Sequence, residues 1–405
     1  MVISLPKKTA EVIGICLCFF SSNSLLSETE FLGEFSFEGR SFLEDGFPFQ
    51  ENFHSSFTFS PEIYLESEDQ KKSFTFKPKF RNDSEDDERN LVDIQELHWI
   101  FIGKSIEARI GFRKEFWGVT ETFHRVDIIN QTDSVESFDG EDKLGQPMIN
   151  LSMESSLGTI DIFALIGFRE RTFAGRYGRL RTPMVVDTDN PIYESSAEDK
   201  RVDFAIRWIQ YYDNLEIGMS HFSGITREPE LITDLSNSTP ELLPKYNTID
   251  QTGLEVLYIL GGLALKLEAI TRSGQNDRFS AITSGLEYTQ VGIFESRLDL
   301  GWVIELNHDD RIKHSPTSLG TRLTFNDLSD TQVLTGVLWN QNTHEKSTFI
   351  EASRRIGNCC KVLLEGIVFS KGKKDSYIFG IQKPQSPFAY LEDEDFLRLE
   401  FIYYL

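Results

Sequence analysis

The stretch Asp395-Phe-Leu-Arg-Leu-Glu-Phe-Ile-Tyr-Tyr-Leu405 alternates residue by residue. Leu397, Leu399, Phe401, Tyr403 and Leu405 share one face of an extended strand. Arg398 and Glu400 take the other face, with Ile402 and Tyr404 nearer the end. Side chains point to opposite sides of a strand with a period of two, so one face is apolar and the other polar. A half-buried strand of a soluble sheet has the same pattern. This one is about ten residues long and ends in an aromatic girdle, the length and polarity of a strand that crosses a bilayer within a closed barrel.

Alternation of this kind, bounded by turn chemistry, recurs along the chain with almost no helical period. Candidate strands lie near 31–37, 57–65, 74–80, 97–101, 106–112, 147–153, 160–168, 202–208 and 215–219. They continue near 254–260, 263–269, 282–288, 298–306, 319–325, 333–339, 348–352 and 362–368, and the terminal stretch closes the series. The pattern predicts an all-β, antiparallel up-and-down transmembrane barrel of about 18 strands, with 16 as the alternative. Expected connections alternate long and short. Long ones fall at 39–54, 82–92, 115–144, 169–201, 224–249, 272–280, 307–318, 341–346 and 371–394. Short turns fall near 67–72, 103–104, 154–157, 213–214, 261–262, 290–295, 327–331 and 356–359. Short periplasmic turns and longer external loops are what insertion from one side of a membrane produces.

Charges sit opposite the apolar faces. Glu107, Arg109 and Arg113 do so on the fifth strand, Asp203 and Arg207 on the eighth, Glu255 on the tenth, and Lys266 and Glu268 on the eleventh. Glu287, Arg297, Asp299, Glu305, Arg398 and Glu400 continue the pattern. A lone basic residue facing lipid near mid-bilayer costs about 2–4 kcal/mol. These residues are therefore expected to line an aqueous interior, and a barrel of this size leaves a pore.

Composition agrees. The chain has 405 residues and a net charge of −23, with pI ≈ 4.8 and a mean hydropathy of −0.29. Such acidity argues against a nucleic-acid partner, and the low hydropathy excludes a helical membrane protein. A barrel needs apolar residues only at every second strand position. The 33 Phe and 12 Tyr suit strands and interfacial girdles. Lys7 and Lys8, the apolar run Val12 to Phe20, and the small residues Ser21 to Ser27 read as a secretory signal peptide over 1–27, leaving 28–405 as the barrel domain. Cys16 and Cys18 fall inside it. Cys359 and Cys360 remain, adjacent in sequence, and are expected as two thiols or an occasional vicinal disulfide.

Glu115 to Asp133 is the most distinctive segment. Trp117, Phe123, Val126, Ile128 and Ile129 are too apolar for a solvated loop. The third long loop, near 115–144, is therefore expected to fold into the barrel mouth, as a constriction or as a structural plug or lid. Trp117, Glu121, His124, Arg125, Asp127, Asn130 and Asp133 are the candidate constriction residues.

Two pieces of this loop, Trp117-Gly-Val-Thr-Glu121 and Val126-Asp-Ile-Ile-Asn-Gln-Thr-Asp133, resemble a signature of an uncharacterised family of porin-like outer-membrane proteins. Glu351-Ala-Ser-Arg-Arg-Ile-Gly357 and Asp393 to Leu405 are similar to it as well. The closing strand also resembles the carboxy-terminal strand of Gram-negative outer-membrane barrels, which usually ends in Phe where this chain has Leu405. The resemblance implies a barrel in the outer membrane and no particular substrate.

Arg169, Arg171, Arg176, Arg179 and Arg181 crowd the start of the fourth long loop. Three readings stand open: a cationic ladder for anionic solutes, contacts to lipopolysaccharide phosphates, or neutralisation of Asp187, Asp189, Glu194, Glu198 and Asp199 in the same loop. The run Asp83, Glu85, Asp86, Asp87, Glu88 lacks the glycine and closing glutamate of a calcium loop, so it reads as solvated charge. His54, His98, His124, His221, His308, His314 and His344 sit in no nucleophile motif. His124, beside Arg125 and Asp127, is the least implausible catalytic group. No phosphate loop, zinc spacing or haem motif occurs. The reading is a porin-like channel for small hydrophilic solutes, not an enzyme, with no cofactor or metal. Expected partners are outer-membrane lipid, lipopolysaccharide, the barrel-assembly machinery and other copies of the chain. A blocked barrel serving as receptor, adhesin or structural protein is the alternative.

Overall fold

A computed structural model describes residues 26–137, 139–236, 239–311, 315–340, 345–370, 377–378, 381–382 and 391–405. Almost all of the expected leader, together with His314 and His344, lies outside these residues. The first nine barrel strands are β1 (Leu26–Phe42), β2 (Phe53–Ser67), β3 (Lys72–Asp83), β4 (Leu91–Ile102), β5 (Ile106–Arg113), β6 (Gln146–Ser155), β7 (Gly158–Ile166), β8 (Val202–Tyr212) and β9 (Leu215–Ile225). The other nine are β10 (Thr248–Leu260), β11 (Leu263–Gly274), β12 (Asn276–Gln290), β13 (Asp299–Asp309), β14 (Thr317–Thr324), β15 (Gln332–Trp339), β16 (Lys346–Ile356), β17 (Cys360–Ser370) and β18 (Phe396–Tyr404). They form one 18-stranded sheet in which each strand pairs antiparallel with its neighbours in sequence. The sheet closes because β1 pairs with β2 on one edge and with β18 on the other, from Glu34↔Tyr404 to Phe42↔Phe396.

The polarity of the wall is inverted relative to a soluble protein. Outward-facing Phe37, Phe204 and Leu399 are 57%, 59% and 54% exposed, while inward-facing Glu38, Glu268, Glu305 and Asp309 are 4% exposed or less. In water such an apolar belt would drive association. Facing hydrocarbon, it keeps every backbone polar group paired within a closed sheet, the condition a membrane imposes.

The connections depart from the expected alternation in one region. The loop expected at 272–280 does not exist: β11 and β12 continue through it and reverse at Gly274 (φ 101°) and Asn276 (φ 59°). A positive φ at glycine permits this tight reversal. A Cβ at Gly274 would lie 2.1 Å from the carbonyl oxygen of Thr248. The turns 291–298 and 325–331 are about as long as loops 84–90 and 340–345, so the contrast in length is lost between β11 and β16 and returns with the short turn 357–359 and the long connection 371–395. Cys359 and Cys360 are joined as a vicinal disulfide beside the β16–β17 turn. Outside the wall, Glu230–Asp234 and Glu241–Tyr246 form a hairpin in the β9–β10 loop, and Ile192–Tyr193 of the β7–β8 loop pairs parallel with its second strand.

Candidate functional site: a passage beside an inward-folded loop

Loop 3 (114–145) leaves β5 and packs inside the wall. Trp117, Val126, Ile128 and Ile129 form one buried apolar cluster with inward-facing residues of β6 to β12, among them Met148, Phe163, Phe222, Ile249 and Ile270. Trp117 meets Phe163 edge to face at 5.6 Å. Two wall carboxylates hold the loop through its backbone. Glu268 Oε1 accepts from the amides of Val119 (2.7 Å) and Thr120 (2.9 Å) and from Thr120 Oγ1 (2.6 Å), and its Oε2 accepts from the Val126 amide (3.2 Å). Glu305 accepts from the amides of Glu121 (2.6 Å) and Thr122 (2.9 Å). Further along, Glu136 pairs with Lys79 (2.6 Å) and Arg81 of β3, so the loop crosses from β11 and β13 to the far side of the barrel.

Five of the other candidate constriction residues secure this fold. Asn130 accepts from the Glu115 amide and donates to the carbonyls of Arg113 and Leu144, each at 2.8 Å, tying the two stems of the loop. Arg125 reaches Asp309 (3.2 Å) and Thr283 (3.1 Å). Asp127 pairs with Lys143 (3.0 Å), and burial pushes its carboxyl up while that ammonium pulls it down. Asp133 accepts from Thr172 Oγ1 (2.8 Å). Trp117 is the apolar anchor. Sequence reasoning missed Arg227, which donates from two nitrogens to the carbonyl of Ile129 (2.9 and 3.2 Å) and lies over the rings of Phe168 and Phe222.

Most strand charges expected to line a pore face loop 3 or one another instead. Arg113 and Arg109 turn toward Glu115 of the loop stem (2.7 and 3.7 Å), and Arg109 also pairs with Glu107. Arg207 pairs with Glu255 and covers the Trp117 ring at 5.3 Å. Asp203 holds Arg201 (3.1 Å), Arg227 (3.4 Å) and the Ile225 amide (3.1 Å). Lys266 pairs with Glu287 at 2.9 Å. Arg297 is not a strand residue: it lies exposed in the β12–β13 turn. Asp299 closes that turn by accepting from the Gly292 amide and from Asn326 Nδ2, both at 2.8 Å. Arg398 stitches the closing seam, pairing with Glu38 of β1 (2.7 Å), Glu365 of β17 (3.1 Å) and Glu400 (2.8 Å).

The fourth long loop (167–201) crosses the mouth. Among the described residues none of Arg169, Arg171, Arg176, Arg179 and Arg181 pairs with Asp187, Asp189, Glu194, Glu198 or Asp199; they contact other elements or their own backbone, and Arg171 borders the cavity between loop 3 and β14 to β18. Arg169 forms a two-pronged pair with Asp93 of β4 (2.8 and 3.2 Å), and Arg171 donates to Ser134 of loop 3 (2.7 Å). Arg179 is buried, donating to Glu394 (2.8 Å), Asn52, and the carbonyls of Glu44 and Asp393 (3.1 Å each), above the Phe42 ring. Arg176 and Arg181 lie over Phe49 and Phe47 at 5.1 and 5.0 Å. The acidic run is only partly solvated. Asp83 and Asp86 are buried, and Asp86 accepts from the Gly175 amide at 3.1 Å, pinning the fourth loop.

Between loop 3 and the wall of β14 to β18 a cavity of about 880 Å³ stays open. Glu121, His124, Asp139, Glu141 and Asp142 border it from the loop, and Arg322, Glu351, Glu365 and Arg398 from the wall, together with Leu334, Leu338, Phe349 and Leu363. Of the expected pore-lining and constriction residues, only Glu121, His124 and Arg398 are among these. Strand parity alone would have turned Arg322, Glu351 and Glu365 inward. Burial pushes the Glu121 carboxyl up, against the pull of Arg322. His124 Nε2 lies 3.3 Å from Glu141 Oε1, and its ring meets Phe116 edge to face. Burial alone would lower the His124 pKa, but the hydrogen bond to Glu141 and the charges of Glu268, Glu141 and Asp127 raise it. That hydrogen bond also lowers the Glu141 carboxyl.

The closed wall, its inverted polarity and the loop folded into its lumen define a porin-like, outer-membrane-type β-barrel. No protein-family model matches the chain, and no curated protein matches it. Among solved structures, in-vitro folded OmpT in its trimer form, an outer membrane protein of Vibrio cholerae, aligns over 93% of this chain and 99% of its own at 9% identity, TM-score 0.47. Outer-membrane expressed OmpT of the same organism covers 95% and 100% at 10% identity, TM-score 0.44. A mutant of the Rh. blastica porin covers 93% and 100% at 11% identity, TM-score 0.43.

Proposed function

We propose that this protein is an outer-membrane channel through which small hydrophilic solutes diffuse passively, along the cavity between loop 3 and β14 to β18. The observation that carries this reading is that cavity itself, about 880 Å³ bordered by charged groups of loop and wall. It is of small-solute size. Loop 3 sets the size limit and the charges around the opening bias what enters. The reaction class is none: no bond is made or broken, and no cofactor takes part. The outward belt meets lipid, and the long loops face lipopolysaccharide. Folding would depend on the barrel-assembly machinery.

A blocked barrel, serving as a receptor, adhesin or structural protein, is favoured by one observation: loop 3 fills the lumen against β6 to β12 while the fourth loop straps the mouth. Reconstitution into planar bilayers separates the two. Stepwise conductance supports the channel, and repeated silence from correctly inserted protein supports the blocked barrel.

A further inference from the structure

The two sides of the passage differ in chemistry. Asp139 and Asp142 of loop 3 and Glu351 of β16 border the cavity, and none of the three makes an ion pair among the described residues. Two of the three guanidiniums at the same opening are neutralised: Arg322 is held by Glu121 with Glu287 at 3.8 Å, and Arg398 is bracketed by Glu38, Glu365 and Glu400. The third, Arg171, donates to Ser134 and is outnumbered by the six bordering carboxylates. Carboxylates therefore outnumber the positive groups that face the passage, most of which are spent on the wall. Such an imbalance attracts cations and repels anions.

The second feature is apolar. Leu334, Leu338, Phe349 and Leu363 border the same cavity from β15 to β17. They lie on the inward parity of their strands and, unlike the inward apolar residues of β6 to β12, are not part of the cluster that loop 3 covers. Four such side chains facing water gain nothing from an inorganic ion, but they shed water when an apolar group lies against them.

Resting on the channel reading, we propose that the passage selects small organic cations with an apolar body, an ammonium group joined to an aryl or alkyl chain. The carboxylates would take the charge, and the leucine and phenylalanine surface would take the body.

The test uses the full-length protein in planar bilayers under a potassium chloride gradient, followed by addition of choline or phenylethylammonium to the potassium solution. The expected reversal potential is cation-directed, with potassium several-fold more permeant than chloride. Phenylethylammonium should compete with potassium current at a several-fold lower concentration than choline. Glu351→Gln should bring the reversal potential toward zero and leave that difference in place. Leu363→Ser should erase the difference and leave the reversal potential unchanged, with Leu334→Ser as the independent variant if the first does not insert. A silent bilayer would overturn the channel reading and this inference together. Conductance with a zero or anion-directed reversal potential would overturn only the inference, and equal competition by the two cations would remove its apolar half.

Discussion

Glu268 sits on the inward face of β11 with none of its surface open to solvent, yet among the described residues no lysine or arginine pairs with it. A buried carboxylate is tolerated where several donors converge on it, and here loop 3 supplies four. Removing the acceptor strands those donors, at about 1–3 kcal/mol for each one left buried and unpaired. Glu268→Ala should therefore lower the thermal unfolding temperature and give larger, noisier single-channel currents. Glu268→Gln, which keeps one acceptor oxygen, should be milder; equal effects from the two would refute the anchoring role. His124 and Glu141 make a second testable pair. The raised His124 pKa contributes stability that is present below its ordinary value of 6.5 and lost as pH rises through the raised one. The lowered Glu141 pKa contributes above 4.5 and is lost as pH falls through the lowered one. The contact thus holds across the interval between. Current noise in bilayers should grow as pH climbs beyond the raised His124 pKa, and His124→Gln should flatten that rise. An unchanged titration in the variant would assign it to another group.

At the scale of elements, loops 3 and 4 decide how much of the barrel is open. The apolar content of Trp117 to Ile129 was enough to predict that loop 3 turns inward, because such residues cannot remain solvated. The partners of the loop 4 arginines were not legible. Arg179 lies 127 residues from Asn52 and 215 from Glu394, and nothing local records those distances. Removing one member of a buried charge pair costs about 3–5 kcal/mol, so Arg179→Ala should free the fourth loop. Proteolytic cleavage within 167–201 should accelerate and conductance should rise, while the barrel remains heat-resistant. Protection identical to the wild type would mean the loop is held elsewhere. The absent loop at 272–280 has a comparable origin. Its residues read as polar connection, but pairing across β11 and β12 extended both strands to a glycine able to reverse the chain.

For the whole molecule, the inverted polarity makes a prediction opposite to that for a soluble protein. Ile304 is 42% exposed at mid-strand in β13, where an exposed position in a soluble protein would accept arginine readily. Facing hydrocarbon, Ile304→Arg should destabilise the barrel by about 2–4 kcal/mol, measured by reversible unfolding in lipid vesicles. A change within about 0.5 kcal/mol, typical of a soluble surface, would contradict the membrane placement. Period-two alternation in the amino-acid sequence was sufficient to predict a closed wall of about 18 strands, with 16 as the alternative, and the face that most strand residues take, because strand geometry is local and repeats every second residue. It missed strand ends such as those at 272–280. It could not determine which inward charges meet water. That depends on loop 3 covering β6 to β12 and leaving β14 to β18 open, an outcome of contacts between residues far apart in the chain. Tertiary structure alone therefore made Glu268 and Glu305 anchors and left Glu351 facing the passage.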